Sequence, residues 1–323
     1  MLNQQLEPQP VLRPIPICAE HQPEVPVEIP TVEIPTDAIE HCRQITKAHS
    51  STFYLGSRFF PREQRFAVWA VYAACRIGDD IADELEPSIA RVELERWRNR
   101  IKLALAGTPE NEPMSLALAW ARSKFPIKQG PFEELYLGLK MDLEEVQYET
   151  LDQLMTYCRR VAGVVGWMIA PIGGFSGGDA TLERALKMGM AMQLTNILRD
   201  VGEDLERNRI YLPRELLERH DVSEHDLRAG RITPQYIAML RELDVLARRN
   251  YREGWRGLAK LHGPAGFAVA LAAASYEGIL GKLEINGFDN FNKRAMVPGR
   301  EKLAMIPRVW WTLRTAGSSD GLL

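Results

Sequence analysis

The spacing of apolar residues constrains the fold of this chain more than any other feature. Between residues 61 and 314, apolar side chains recur every three or four positions, as they do on the buried face of a helix. Alternating strand-like stretches joined by hairpin turns are absent, and no repeat of about 20–50 residues is visible. The pattern therefore predicts an all-α protein, a single helical bundle around one interior.

Several residues mark where these helices should begin. Asp37, with Glu40 three residues later, has the form of a capping box. Pro61 fits the first position of a helix, and Ser88 is expected to cap a helix that ends at 107–109. Further helical runs are expected from Pro131 and over 151–170, 180–207, 234–261, 264–286 and 299–314.

The first 36 residues differ from the rest in composition. Proline alternates there with Glu and Val, which blocks both helices and central strands. We therefore expect residues 1–36 to form an extended tail and residues 37–323 to form one helical domain. The N-terminus lacks a basic start and an apolar run, so no signal peptide is expected.

One apolar segment needs separate treatment. Residues 161–178 carry no charge, but they contain several glycines and Pro171. A membrane-spanning helix needs about 20 mostly apolar residues, so we interpret this segment as a buried helix that breaks near Pro171.

Charge and cysteine content exclude other classes of protein. The chain has 40 Lys and Arg against 43 Asp and Glu, a net charge of −3, without the basic excess of a nucleic-acid-binding protein. Its four cysteines are scattered without a CxxC pair, so neither a disulfide framework nor a structural zinc site is expected. A reducing cytoplasm is the expected location.

The first acidic cluster has the sequence DDIADE and includes Asp79 and Asp83. Residues four apart lie on one face of a helix, about 6 Å apart along its axis. The calcium-binding loop pattern of alternating oxygen ligands around a glycine is absent. Alone, such a pair is more typical of a solvated acidic surface.

A second polar stripe changes this interpretation. Gln193, Asn196, Asp200 and Asp204 follow one another at helical spacing, and apolar residues cover much of the remaining surface of the same segment. Such a helix should be buried, so its stripe must face a polar cavity, a metal or a partner charge. Gly202 costs about 1 kcal/mol relative to Ala inside a helix, which indicates that another group approaches closely there.

Two DxxxD pairs on separate helices suggest a particular chemistry. Hard oxygen ligands without a Cys or His cluster favour Mg²⁺ over zinc, and Mg²⁺ commonly binds through one or two carboxylates plus substrate phosphates. Facing pairs could hold a diphosphate and stabilise it as a leaving group. The resulting carbocation would need a dry apolar pocket, which 161–178 could line. Several classes of prenyl-diphosphate enzyme fit this pattern.

At these residues the sequence resembles the squalene/phytoene synthase family of head-to-head prenyl transferases, over about residues 37–315. The C-terminal segment FDNFNKRAMVPGREKLAMIPRVWW is most similar to the phytoene synthase branch, whereas CRIGDDIAD also resembles bacterial C30 enzymes. The resemblance is carried by HSSTFYLGSRFFP (49–61), AVYAACRIGDDIADE (70–84), YCRRVAGVVG (157–166), QLTNILRDVGEDLERNRIYLP (193–213) and FDNFNKRAMVPGREKL (288–303).

The resemblance implies an isoprenoid-synthase bundle around a central cavity and a set of functional residues. Metal ligands and catalytic carboxylates are expected at Asp79, Asp83, Asp200 and Asp204, with Asn196 as a further metal ligand. Tyr157 is expected near the reacting carbons or the departing diphosphate. Substrate contacts are expected from Arg76, Asp80, Tyr72, His49, Ser50, Ser51, Gln193, Asn196, Arg199, Arg209, Tyr211 and Tyr276.

For some of these residues a structural role is the alternative. Arg76 and Arg199 could serve only to neutralise neighbouring aspartates. Tyr157 and Tyr276 could be packed tyrosines with satisfied hydroxyls, and His49 could be a structural residue near a helix end.

The expected reaction is Mg²⁺-dependent condensation of two geranylgeranyl diphosphates, through prephytoene diphosphate, to phytoene. Mn²⁺ is an alternative cation, and no NADPH is expected because no GxGxxG follows a strand. Substrate and product are lipids, so we expect peripheral association with the inner face of a membrane and transfer of product to a desaturase. The alternatives are a squalene or dehydrosqualene synthase that uses farnesyl diphosphate, and a non-catalytic assembly or binding relative.

Overall fold

The computed structural model describes residues 33–144 and 147–316, apart from the side chains of residues 51, 52, 315 and 316. Most of the expected N-terminal tail lies outside the described residues. The helices are α1 (Thr36–His49), α2 (Ser51–Ser57), α3 (Arg62–Glu84), α4 (Pro87–Leu105), α5 (Pro113–Lys124), α6 (Gly130–Leu143), α7 (Leu151–Cys158), α8 (Val164–Gly173), α9 (Gly178–Arg199), α10 (Val201–Glu206), α11 (Arg214–Arg219), α12 (Glu224–Arg228), α13 (Pro234–Leu258), α14 (Pro264–Ile285) and α15 (Gly299–Ala316).

The all-α prediction is confirmed, because the described residues form helices and no named strand. A π-helical turn at Arg159–Gly163 joins α7 to α8. Helices α2, α5, α11 and α12 were not expected from the sequence. None of the helices in the described ranges is long and apolar enough to cross a membrane.

Two predictions of helix caps were wrong. Helix α1 begins at Thr36, so Asp37 lies in its first turn and does not cap it. The cap of α4 is Glu86, whose carboxylate accepts a hydrogen bond from the backbone N–H of Ser88. The predicted break near Pro171 is confirmed: Pro171 lies inside α8, which ends two residues later at Gly173, before Gly174 adopts a φ of 76° that favours glycine.

The helices bury two apolar clusters on either side of a central cavity. One cluster is formed by α1, α3, α4, α5, α6 and α8, and the other by α7, α9, α13 and α14 with the loop that precedes α15. Helix α9 is common to both sides, since it packs along α13 and against α8 and α14. The segment that follows α9 and α10 reaches the C-terminal end of α3, where Arg209 donates a hydrogen bond to Asp83 at 2.7 Å.

Glycines allow the helices around α9 to approach closely. A Cβ added to Gly166 would lie 2.7 Å from the carbonyl oxygen of Ala185, and one added to Gly189 would overlap the carbonyl oxygen of Ala162. No side chain larger than hydrogen fits at such distances without movement of a backbone. Gly166, in the uncharged segment 161–178, and Gly189, in α9, therefore allow close packing of the helices.

Candidate active site

The first acidic pair lies at the C-terminal end of α3. Asp79 is half-buried, and burial together with the carboxylates of Asp83, Asp142 and Asp80 raises its pKa to about 8, although Arg76 opposes the shift. A carboxylate that is this costly to ionise favours any cation that can replace water around it. The predicted position of this pair on one helical face is confirmed.

The second acidic pair lies where α9 meets α10. Asp204 is half-buried, and burial with the nearby Asp200 carboxylate raises its pKa to about 7. Asp200 forms a close ion pair with Arg199, and Arg294 lies 3.4 Å from it. One aspartate of this pair therefore has cationic partners, while the other lies in an electrostatically unfavourable place.

The prediction of one continuous helix over 180–207 was wrong. Helix α9 ends at Arg199, and Asp200 adopts φ −104° and ψ 15° before α10 begins. A loop residue, Asn290, interrupts the helical hydrogen bonds by donating from Nδ2 to the carbonyl oxygen of Leu198 at 2.6 Å.

Arginines link the acidic groups to one another. Arg209 donates to Asp83 at 2.7 Å, which connects the segment after α10 to the end of α3. Arg76 forms an ion pair with Asp80. Both arginines line a cavity with Asp83, of about 660 Å³, so their guanidinium groups border the space beside the first acidic pair. Guanidinium groups suit the bidentate binding of diphosphate oxygens.

A buried tyrosine cluster surrounds a carboxylate that the sequence analysis missed. Asp142, on α6, accepts hydrogen bonds from Tyr211 at 2.9 Å and from Tyr157 at 3.1 Å. Burial raises the pKa of Asp142 to about 6 despite these bonds. Burial and the Asp142 carboxylate hold the pKa of Tyr157 well above its usual range, so both hydroxyls stay protonated. Asp142 follows Leu135 and Leu139 at helical spacing on the buried face of α6, and this position was the available signal.

Tyr72, in the middle of α3, forms a further wall of the site. Burial raises the pKa of Tyr72 to about 12. The Tyr72 hydroxyl also interacts electrostatically with Arg76, Asp79 and Tyr276. The Tyr72 ring stacks on Phe53 with centroids 4.8 Å apart. These contacts place Tyr72 between the first acidic pair and α14.

The structure gives less support for the substrate contacts predicted at residues 49–51. Ser50 caps α2 by accepting a hydrogen bond from the N–H of Phe53 at 3.2 Å, and it also lies close to Tyr72. His49 is exposed at the end of α1. The side chain of Ser51 lies outside the described part of the molecule.

A basic cavity of about 520 Å³ lies beside the C-terminal end of α9. Arg199, Arg294 and Lys302 line it together with Tyr276. Arg199 and Tyr276 are predicted substrate contacts, whereas Arg294 lies in the loop before α15 and Lys302 lies in α15 itself. Such a lining fits an anion.

The donor set fits a hard divalent cation. The Asn196 side-chain oxygen is buried and has no hydrogen-bond partner among the described residues, although its Nδ2 lies 3.4 Å from Gln193. Within residues 33–144 and 147–316, no three His, Cys, Asp or Glu side chains are gathered closely enough to hold a metal. A cation that takes one or two protein carboxylates and completes its shell with phosphate oxygens suits such a site, as Mg²⁺ does.

An apolar cavity extends from this polar region into the bundle. It contains about 1020 Å³ of space not filled by protein atoms, and α2, α8, α9, α13 and α14 line it. Ala162, Val165, Ile169 and Ala170 all face it, which confirms that the uncharged segment at 161–178 lines an apolar pocket. Phe53 lies at its wall and stacks on Tyr72, so the cavity adjoins the first acidic pair.

The close approach predicted at Gly202 is confirmed. A Cβ there would lie 3.0 Å from the Asn290 carbonyl oxygen and from the Phe291 Cα. The partner could not be identified from the sequence, because it lies almost ninety positions away along the chain.

Comparisons with known proteins agree with this architecture. The family model described as squalene/phytoene synthase matches residues 46–301. The chain is 46% identical over 279 residues to a phytoene synthase of Thermus thermophilus, covering 86% of this chain and 94% of that protein. It is 38% identical over 287 residues to the 15-cis-phytoene synthase of a Synechocystis strain, covering 85% of each.

Solved structures show the same fold. A dehydrosqualene synthase, crystallised in complex with a ligand, superposes with a TM-score of 0.80 at 31% identity, covering 87% of this chain and 98% of the other. A squalene synthase from Alicyclobacillus acidocaldarius superposes with a TM-score of 0.74 at 27% identity, covering 81% of this chain and 99% of the other.

Proposed function

Because the chain belongs to the squalene/phytoene synthase family, we propose that it joins two molecules of geranylgeranyl diphosphate into phytoene. It is an enzyme that transfers prenyl groups, and relatives that are 36–46% identical over most of its length are phytoene synthases. One observation supports the proposal most strongly: Val68 of α3 and Met192 of α9 line an apolar cavity of about 1020 Å³, and the two acidic pairs lie at or just beyond the C-terminal ends of these helices.

The reaction has two ionisation steps. The C–O bond of the donor breaks first, its electron pair leaves with the diphosphate, and the allylic cation takes electrons from a double bond of the second molecule. Loss of a proton closes the cyclopropane ring of prephytoene diphosphate. The second diphosphate then leaves, the cation rearranges, and loss of another proton gives phytoene without a reductant.

Enzymes of this type generally need a divalent metal, and Mg²⁺ or Mn²⁺ would neutralise the charge on the leaving diphosphate. We assign its binding to Asp79, Asp83, Asn196, Asp200 and Asp204. This assignment rests on the unfavourable protonation equilibria of Asp79 and Asp204 and on the unpartnered oxygen of Asn196.

The arginines would bind the diphosphate oxygens directly. Arg76 and Arg209 border the first acidic pair, and Arg199 borders the second. In the substrate-free protein each is paired with an aspartate, so the arginines neutralise part of the negative charge of the site until diphosphate arrives. Gln193 lies one turn before Asn196 and would orient its carboxamide.

The tyrosines would position substrate and exclude water. The hydroxyls of Tyr157 and Tyr211 point at Asp142 and stay protonated, so they can donate to a departing oxygen once that contact loosens. Tyr72 and Tyr276 close the other side beside α14. The apolar walls would leave an allylic cation without a nucleophile to capture it.

A dehydrosqualene synthase reaction is the second candidate, supported by the likeness to a solved dehydrosqualene synthase at 31% identity. The two reactions share their steps and differ in the length of the chain that the cavity must hold. Substrate preference therefore decides between them.

We also place the enzyme in the cytoplasm, at the inner face of a membrane, from which a desaturase would take up phytoene. The exposed side of α15 carries Leu303 and Trp311, 62% and 65% exposed, beside Arg300 and Arg308. Exposed tryptophan with arginine is typical of helices that lie at a lipid surface. The full chain should sediment with anionic vesicles, and a Leu303→Ala/Trp311→Ala variant should not.

The proposed reaction is tested by a product assay. Purified protein with Mg²⁺ and without NADPH is offered geranylgeranyl or farnesyl diphosphate, and the extracted lipids are identified by mass. A C40 hydrocarbon from the first substrate is expected. A C30 product alone would assign the enzyme to the dehydrosqualene reaction, and the absence of any product would indicate a non-catalytic relative.

A further inference from the structure

The break between α9 and α10 is produced by a residue that is distant in sequence. In an uninterrupted helix the N–H of Gly202 would donate to the carbonyl oxygen of Leu198. Here the Gly202 N–H points to the backbone oxygen of Asn290 at 3.3 Å. The Leu198 oxygen accepts instead from Asn290 Nδ2 at 2.6 Å. Asn290 therefore pairs with both groups that a continuous helix would have joined, the N–H of Gly202 and the carbonyl oxygen of Leu198.

The backbone on either side keeps its helical pairing. The N–H of Asp200 donates to Asn196 at 2.8 Å, and the N–H of Asp204 donates to Asp200 at 2.8 Å. The disturbance is thus confined to the stretch that separates the residues we assign to the metal. A side chain inserted into a helical ladder is an established cause of a kink.

Asn290 is held firmly in this position. Its side chain is buried, and its Oδ1 accepts a hydrogen bond of 2.7 Å from the hydroxyl of Tyr236, which is fully buried in α13. The Tyr236 ring stacks on Phe291 with centroids 5.3 Å apart. Gly202 allows this close approach, because a Cβ at that position would lie 3.0 Å from the backbone carbonyl oxygen of Asn290.

The same loop also supplies charge to the site. Arg294, four residues after Asn290, lies 3.4 Å from Asp200 and 2.7 Å from Glu203. The loop therefore fixes the backbone at Asp200 through one residue and faces its carboxylate with another. A loop that served only to cover the bundle would need neither contact.

We propose that Asn290 is a positioning residue: by opening the helix between Leu198 and Gly202, it sets the spacing of Asn196, Asp200 and Asp204 for a divalent cation. The consequence for catalysis rests on the proposed function, whereas the consequence for cation binding does not.

The test compares variants of the full chain. Asn290→Ala removes both side-chain bonds. Asn290→Asp keeps the size and the acceptor for Tyr236 but loses the donor to Leu198. Asn292→Ala, at an exposed position in the same loop, is the matched control. Binding of Mg²⁺ with inorganic diphosphate is followed by the rise in melting temperature, and kcat and KM are measured separately at saturating Mg²⁺.

Both Asn290 variants should need about tenfold more Mg²⁺ for half of the thermal shift, as residues that orient metal ligands typically do. The control should stay within about twofold of the wild type. The result for Asn290→Asp is the more telling one, because an added carboxylate would by charge alone strengthen cation binding. At saturating Mg²⁺ we expect kcat to fall while KM for the prenyl diphosphate changes little.

Other outcomes overturn the inference. A lower melting temperature with unchanged Mg²⁺ dependence would assign Asn290 a packing role only. Failure of the wild-type chain to bind Mg²⁺ with diphosphate would remove the cation from the argument. A wild-type protein that binds Mg²⁺ but makes no hydrocarbon would contradict the proposed function and leave this inference standing.

Discussion

The two ends of the central cavity are built on opposite physical terms. At the polar end, the carboxylates of Asp79, Asp142 and Asp204 all have raised pKa values because each is buried and lies close to another carboxylate. At the apolar end, helices touch backbone to backbone at Gly166 and Gly189. The polar end is destabilised in the absence of a cation, whereas at the apolar end the helices around the cavity are held in close backbone contact.

The polar end therefore supplies the groups that take part in the reaction, and the apolar end determines the shape of the cavity. Substitutions at the polar end should reduce activity without weakening the fold, since they remove unfavourable charge. Substitutions at the apolar end should weaken the fold or change which substrate fits.

The largest expected effect is at Asp79. Asp79→Asn keeps the shape of the side chain and removes the charge, so product formation should fall by about 10³-fold or more as electrostatic stabilisation of the leaving group is lost. The free energy of unfolding of the metal-free protein should rise or stay unchanged at pH 8. Asp152→Asn, at an exposed position on α7, is the control and should retain activity. Normal turnover by the Asp79→Asn enzyme would contradict the role of the polar end in the reaction.

At the apolar end, Gly189→Ala should weaken the fold. Its Cβ would overlap the carbonyl oxygen of Ala162, and neither helix can move without disturbing the cavity. Overpacking of this kind costs about 1–3 kcal/mol of unfolding free energy. Gly281→Ala is the matched control, because nothing lies within 4 Å of the position of its Cβ in α14. The control should be neutral or slightly stabilising, and equal melting temperatures for the two variants would contradict the packing argument.

The sequence predicts parts of both ends. Asp79, Asp83, Asp200 and Asp204 could be found from spacing alone, because a helix repeats every 3.6 residues. The apolar cavity beside residues 161–178 was likewise predictable from their lack of charge.

Contacts between distant segments could not be predicted. Nothing local indicates a break at Asp200, since the surrounding residues favour a continuous helix and the break depends on Asn290. Asp142 was overlooked because a single acidic residue forms no repeated pattern, although its helical spacing from Leu135 and Leu139 placed it on the buried face of α6. Its significance depends on Tyr157 and Tyr211, which come from other elements.

A smaller effect concerns the pH dependence of the metal-free protein. The pKa of Asp79 is about 8 and that of Asp204 about 7 in the folded state, against about 3.9 for an unfolded aspartate. The folded state therefore binds more protons between these values, and the free energy of unfolding should fall as pH rises from 7 to 8, by about 1.4 kcal/mol. Denaturant titrations in the presence of a chelator measure it. An Asp79→Asn/Asp204→Asn variant should show a flatter dependence, and an identical slope in both proteins would show that other groups titrate.

The smallest expected effect would sharpen the comparison at the apolar end. Ala170 lines the cavity on α8, about 20 Å along the helical direction from Tyr157. Ala170→Phe should obstruct the last isoprene unit of a geranylgeranyl chain, while a farnesyl chain, shorter by that unit, would end before it. The ratio of kcat/KM for the two diphosphates should shift about tenfold towards farnesyl. A variant that loses both activities equally would show that Ala170 supports the packing of the bundle and not the length of the cavity, and the apolar end would then have no part that determines specificity at this position.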